Sequence, residues 1–184
     1  ACRSVDVVTV FAATVGDGVA IRKLMDGYDA ADPYSRKAVP VALPGTGLRI
    51  GVLDGAEREF FGNSEVEALY DAAIARAKSL GATIVPFDYA PFRQAAELLY
   101  NGPFVAERLA AVKDFIATNA DDFDPTVRTI IEGAKAYDAV AAFEGQYKLG
   151  HLRQKAIAEW EKFDVLMLPT SPTTYTVEAM LSDP

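Results

Sequence analysis

The stretch from Leu48 to Tyr89 limits the possible folds of this chain more than any other. LRIGVLD, residues 48 to 54, is a short and mostly apolar run suited to a buried strand, and TIVPFDY, residues 83 to 89, is a second. Between them Val66, Leu69, Tyr70, Ala73, Ile74, Ala77 and Leu80 recur at helical spacing. Ser64 and Glu67 are placed as a capping box at the start, and Gly81 as the stop. Strand, helix and strand of these lengths predict a parallel crossover, with the helix laid over one face of the sheet.

The remaining segments fit around that unit. DVLMLPTSPTT, from Asp164, reads as a final buried strand running into a proline-punctuated loop, and VDVVTVF, residues 5 to 11, is β-branched and aromatic enough to predict another strand. Thr14 with Asp17 forms a second capping box, opening a short helix over about 15 to 26 with Ile21, Leu24 and Met25 on one face and Gly27 as its stop. From Tyr28 to Gly47, three prolines (Pro33, Pro40, Pro44) without sustained periodicity predict a loop. Beyond Pro91 the pattern is helical to about residue 162. Asp124 and Pro125 supply a cap and a first-turn proline, and a long last helix from Asp138 to Lys162 is expected to bury Val140, Phe143, Tyr147, Leu152, Ala156 and Trp160. Gly145 and Gly150 are each expected to weaken that helix by roughly 1 kcal/mol relative to alanine. The fold class is therefore α/β: a mixed, mostly parallel sheet covered by helices, with a helix-rich segment over 91–162.

With 184 residues, 51% of them hydrophobic, the chain has material for one domain or one large piece of a domain. It opens on ACRSVDVVTVF without an initiator Met and ends at MLSDP, so both ends read as cuts made inside a larger protein, and more of the sheet is expected elsewhere. A formal net charge of −8 argues against nucleic acid or an anionic membrane surface as partner. The single Cys2 cannot form an internal disulfide, and no apolar run is long enough to cross a bilayer, so a cytoplasmic setting is expected. One His and one Cys, His151 and Cys2, offer no metal-ligand spacing, and no metal or cofactor is expected. The turn after LRIGVLD, GAEREFFGNSE, lacks a phosphate-binding glycine pattern and puts acids where an anion would sit. The acid pairs Glu57 with Glu59 and Asp121 with Asp122 read as solvated faces.

Resemblance adds what composition and periodicity do not. ACRSVDVVTVFAATVGDGVAIRKLMDGYDAADPYSRK resembles the segment after the nucleophile in the amidase signature family, where an S-x-D run (here Ser4 and Asp6) precedes a T-V-x-D helix (Thr14, Val15, Asp17). GLRIGVLDG and FDVLMLPTSPTTYTVEAML are similar to later strands of the same family. The blocks GYDAADPYSRK and GAEREFFG resemble its allophanate hydrolase group, and the likeness covers nearly the whole chain.

The resemblance implies an amidohydrolase working through a serine nucleophile, a second serine and a lysine, all upstream of Ala1, so that no catalytic residue maps onto this chain. It also implies that residues 1–184 are the central to C-terminal portion of an amidase domain, with allophanate as substrate. A functional link to a biotin-dependent urea carboxylase and a homodimer are implied as well. Tyr28 and Arg36 match the group's substrate-binding pair. The competing reading of these two is structural, with Arg36 capping carbonyls at the preceding helix end and Tyr28 packing on the core. Ser4 and Asp6 are expected to brace the region rather than react. Thr170 and Ser171 either border the pocket or form a turn with satisfied hydroxyls. Two alternatives stay open: another amidase or a glutaminyl amidotransferase subunit, and a noncatalytic α/β dimerisation module.

Overall fold

The computed structural model describes residues 3–183, so Cys2 lies outside the described residues. The crossover expected from residues 48 to 89 is present. Strand β1 (Arg49–Val52) leads through helix α2 (Ser64–Ser79) to strand β2 (Thr83–Pro86), which lies parallel to β1 with Arg49 opposite Thr83 and Val52 opposite Pro86. Strand β3 (Val165–Leu166) pairs parallel to the other edge of β1, Ile50 opposite Val165 and Gly51 opposite Leu166. The order is β2-β1-β3, so β1 is the shared strand.

Helix α2 starts one residue earlier in its capping logic than the sequence implied. Asn63, not Ser64, is the cap, its side-chain oxygen accepting the Val66 N–H at 3.1 Å. The Asn63 amide also donates to Thr173 Oγ1 at 3.1 Å. The first helix, α1 (Val15–Met25), follows the expected cap, with the Asp17 N–H on Thr14 Oγ1 at 3.1 Å.

Between β2 and β3 run α3 (Ala90–Glu97), α4 (Val105–Asn119), α5 (Pro125–Glu132) and α6 (Ala139–Trp160); α7 (Val177–Ser182) follows the last strand. Asp124 caps α5 through the Thr126 and Val127 N–H groups, and Pro125 occupies its first turn as expected. No helix among the described residues is long and apolar enough to cross a membrane.

The core gathers on β1 and the strand ends: Val52, Leu53, Phe60, Tyr70, Phe87 and Phe163, the last 2% exposed. Phe163 packs its ring 5.1 Å from Phe87 and 4.9 Å from Trp160, joining the end of β2, the end of α6 and the start of β3. Gly51 makes this possible. A Cβ on Gly51 would stand 2.8 Å from both Leu166 Cδ2 and Phe163 Cδ1, inside any real contact distance. The entry to β3 is fastened separately. Asp164 accepts the Arg49 N–H at 2.8 Å and Arg49 Nη2 at 2.8 Å, while Arg49 Nη1 reaches the Glu161 carbonyl at 3.1 Å.

Two sequence expectations fail here. Residues 5 to 11 form no strand; Val7, Val8 and Phe11 are exposed, and the run joins no ladder among the described residues. β-branched residues take up strand geometry only where a neighbouring edge meets their backbone N–H and C=O groups. The long helix α6 also turns a different side inward. Leu152 and Gly145 are buried, but Val140, Phe143 and Tyr147 are exposed. The reason is Gly145, where a Cβ would run into the Pro103 ring; the proline lies on the helix backbone and fixes its rotation.

Three glycines therefore differ in sign. Gly51→Ala is expected to destabilise by about 1–3 kcal/mol through overpacking, and Gly145→Ala to destabilise as well. Gly150→Ala, facing open space, is expected to stabilise by about 0.5–1 kcal/mol; denaturant midpoints of the three variants give the ranking. The hydrogen bonds from Arg49 hold the Asp164 carboxyl below its ordinary range. A carboxyl depressed in the folded state adds stability above its unfolded pKa and loses it as pH falls through the folded value. The stability gap between the parent and Asp164→Asn should thus be full at neutral pH and close in strong acid, as followed by acid titration of the melting temperature.

Candidate functional site

Because the strands are parallel, their carboxyl ends all open on one side, the place where ligands gather in sheets of this kind. A cavity of about 550 Å³ lies there. Leu53 enters it from the end of β1, Tyr89 from beyond β2, and Leu168, Pro169 and Pro172 from beyond β3. The turn after β1 completes it. Along that turn Glu57, Glu59 and Phe61 line the cavity, whereas Arg58 and Phe60 face the other way, over α2. Phe60 is buried beside Tyr70, their centroids 6.0 Å apart, and Arg58 lies over both rings while bonding Asp71 at 2.8 Å.

The charges of the cavity are partly paired. Arg93 of α3 donates to Glu57 at 3.2 Å and to Glu97 at 2.9 Å, and these bonds raise its pKa above the ordinary arginine value. Glu59 accepts the Phe61 N–H at 2.6 Å. Phe61 has a φ of 52°, a left-handed conformation unusual for an aromatic residue, and Gly62 follows at 78°. Among the described residues, the cavity lining includes no serine, cysteine or histidine.

Tyr70 joins two strand ends beside the cavity. Its hydroxyl accepts the Leu53 N–H at 2.9 Å and donates to the Met167 carbonyl at 2.9 Å, so a single side chain from α2 links the ends of β1 and β3. Burial pushes the Tyr70 phenol above its ordinary value, with the Leu53 N–H and Arg58 acting in the opposite sense.

The residues singled out in the sequence lie in several places. Tyr28 and Arg36 stand at the two feet of one loop. The Asp29 N–H bonds Ser35 Oγ at 2.9 Å, Asp29 and Asp32 carboxylates accept the Ala31 and Tyr34 N–H groups at 2.8 and 3.0 Å, and the loop closes on itself. Lys37 Nζ sits 5.3 Å from the Tyr28 ring centre. Tyr28 is exposed, not in the core, and the Arg36 guanidinium makes no hydrogen bond or ion pair among the described residues, so it caps no helix. Neither residue lines the strand-end cavity.

The other candidates lie elsewhere. The Ser4 N–H and Oγ each bond one oxygen of Glu107 on α4, both at 2.6 Å. Asp6 and Val5 face a separate hollow against Leu99, Arg108 and Ile131. Thr170 and Ser171 are exposed on the turn between Pro169 and Pro172, with the Ser171 hydroxyl donating to the Thr173 carbonyl. Their proline neighbours, not they, line the cavity. His151 is exposed on α6. Sequence reasoning read Glu57 and Glu59 as a solvated face and did not single out Phe61 or Arg93, whereas the structure places all four at the cavity. The signal was present in EREFF, where acids alternate with Arg58 and Phe60.

Residues 1–182 match the family model described as Amidase. A urea amidolyase of Lachancea kluyveri is 37% identical over 187 aligned residues, covering 100% of this chain and 10% of that protein. A urea amidolyase of Saccharomyces cerevisiae is 32% identical with the same coverage. Among solved structures, an allophanate hydrolase of Kluyveromyces lactis superposes with a TM-score of 0.93 at 37% identity, over 100% of this chain and 30% of that one. The chain thus spans about a tenth of the length of these two urea amidolyases.

Replacing Tyr70 by Phe keeps the ring but leaves the Leu53 N–H and the Met167 carbonyl without their partner. The expected loss is about 1–3 kcal/mol, measured by denaturation. The same change at exposed Tyr147 should leave stability within about 0.5 kcal/mol of the parent.

Proposed function

Since the chain belongs to the amidase family, we propose that it is part of an allophanate hydrolase, cleaving the amide bond of allophanate with release of ammonia and carbon dioxide in urea degradation. The observation that carries this reading is the alignment of urea amidolyases, and of an allophanate hydrolase structure, over the whole of this chain. On this reading residues 1–184 are the central to C-terminal portion of the amidase domain. The serine nucleophile, the bridging serine and the lysine come from an upstream segment. The lysine, neutral, takes the nucleophile's proton through the bridging serine, and backbone N–H groups hold the oxyanion of the tetrahedral intermediate. The enzyme works as a homodimer in the cytoplasm, and its substrate is made by a biotin-dependent urea carboxylase.

This chain's own task is to hold the substrate's carboxylate. A guanidinium presents paired N–H donors that match a carboxylate fork, and the contact is strong where those donors are not already engaged. Arg36 meets that condition among the described residues. The bond between the Asp29 N–H and Ser35 Oγ supports the pairing by drawing the loop's ends together, with Tyr28 before it and Arg36 after it. Lys37, against the Tyr28 ring, adds a second positive charge in a chain of net charge −8.

In the full-length protein, Arg36→Gln is expected to lower kcat/KM for allophanate by about 30-fold or more, the lower end of a roughly 2–5 kcal/mol contact. Hydrolysis of a neutral amide should persist. Equal loss on both substrates, or on neither, would remove the carboxylate role. Residues 1–184 alone should show no turnover in an ammonia-release assay.

A further inference from the structure

The cavity at the strand ends is built for something other than a small anion. Pockets that hold ligands run to roughly 300–1,000 Å³, and at about 550 Å³ this one has room for a ring-bearing molecule. Its walls are mainly apolar, from Leu53, Leu168, Pro169 and Pro172, with two aromatic rings, Phe61 and Tyr89. Its charged lining is two carboxylates against one guanidinium, and that guanidinium, Arg93, is engaged by Glu57 and by Glu97 outside the lining. The surplus charge is therefore negative and sits on Glu59. One oxygen of Glu59 takes the Phe61 N–H, and the other has no partner among the described residues.

Phe61 is the second observation. It is 65% exposed, so burial does not hold its ring at the cavity wall, yet its backbone is kept at a φ of 52°. Strain of that kind survives only where neighbours over-determine it, and it gathers at ligand clamps. Here Glu59 fixes the Phe61 N–H, and the buried Phe60 ring fixes the residue before it. The same carboxylate thus supplies the negative charge and holds the ring that faces the ligand.

We propose that this cavity is a binding site for a primary ammonium carried on a flat, apolar body. The body packs on Phe61 and Tyr89, and the ammonium donates to Glu59 with Glu57 adding to the field. Cations are drawn to aromatic faces as well as to carboxylates, while a carboxylate ligand of the same shape meets like charge.

Benzylamine and benzoate, titrated calorimetrically into the full-length protein, share the ring and differ in the sign of charge. Saturable benzylamine binding in the millimolar range or tighter is expected, about tenfold or more stronger than benzoate. Phe61→Gly, which accepts the left-handed φ without cost, should weaken benzylamine by about tenfold through loss of the ring wall. Glu59→Gln, whose amide oxygen still accepts the Phe61 N–H, should abolish the preference for benzylamine over benzoate. With Arg36→Gln as background, so that benzoate has no carboxylate site at that loop, the proposal is overturned if benzoate binds as tightly as benzylamine, if benzylamine shows no saturable binding, or if both substitutions leave the two titrations unchanged. Allophanate turnover plays no part in these readings, so they stand or fall apart from the hydrolase assignment.

Discussion

The absence of a side chain at Gly51 is the constraint on which the rest of the molecule depends. Among the described residues β1 is the only strand with neighbours on both sides, and its centre must accept the Phe163 ring and the Leu166 side chain at distances that no Cβ tolerates. Phe163 in turn is the meeting point of Phe87 and Trp160, which bring in the end of β2 and the end of α6. Remove the close approach and the aromatic cluster loses its seat. With it goes the reason for the helices between β2 and β3 to pack where they do.

From that seat the strand-end chemistry follows by short steps. The three strands finish on one side of the sheet, Tyr70 ties two of those finishes together through Leu53 and Met167, and the turn from residue 57 to 61 divides its side chains between two faces. One face completes the core with Phe60, and the other lines a cavity with Glu57, Glu59 and Phe61. Packing and site therefore share the same few residues of backbone. The loop between Tyr28 and Arg36 is organised differently, by hydrogen bonds within itself rather than by the sheet.

What the sequence made legible was whatever depended on local pattern. The crossover from Leu48 to Tyr89, the caps at Thr14 and Asp124, and the helical stretch after Pro91 each carry their signal within a dozen or so neighbouring residues. What depended on distant partners was not legible. VDVVTVF has strand composition but no ladder partner among the described residues, and the apolar residues of α6 pointed to a face that Pro103, from another segment, displaces. The cavity was hidden for the same reason, since it is assembled from three separate stretches. Family resemblance, resting on longer blocks, reached the amidase fold correctly where periodicity alone stopped at a generic α/β sheet.

The fastening of Arg49 to Asp164 spans 115 residues, and this distance orders events as the chain folds. Closing that span costs about 1 kcal/mol more loop entropy than bringing β2 to β1, and nothing rewards it until the Phe163 cluster is ready. β1, α2 and β2 are therefore the natural nucleus, with β3 as a late arrival that docks on an edge already formed. A ribosome emitting this chain would release a sheet edge that waits, unpaired, until the long helix has emerged.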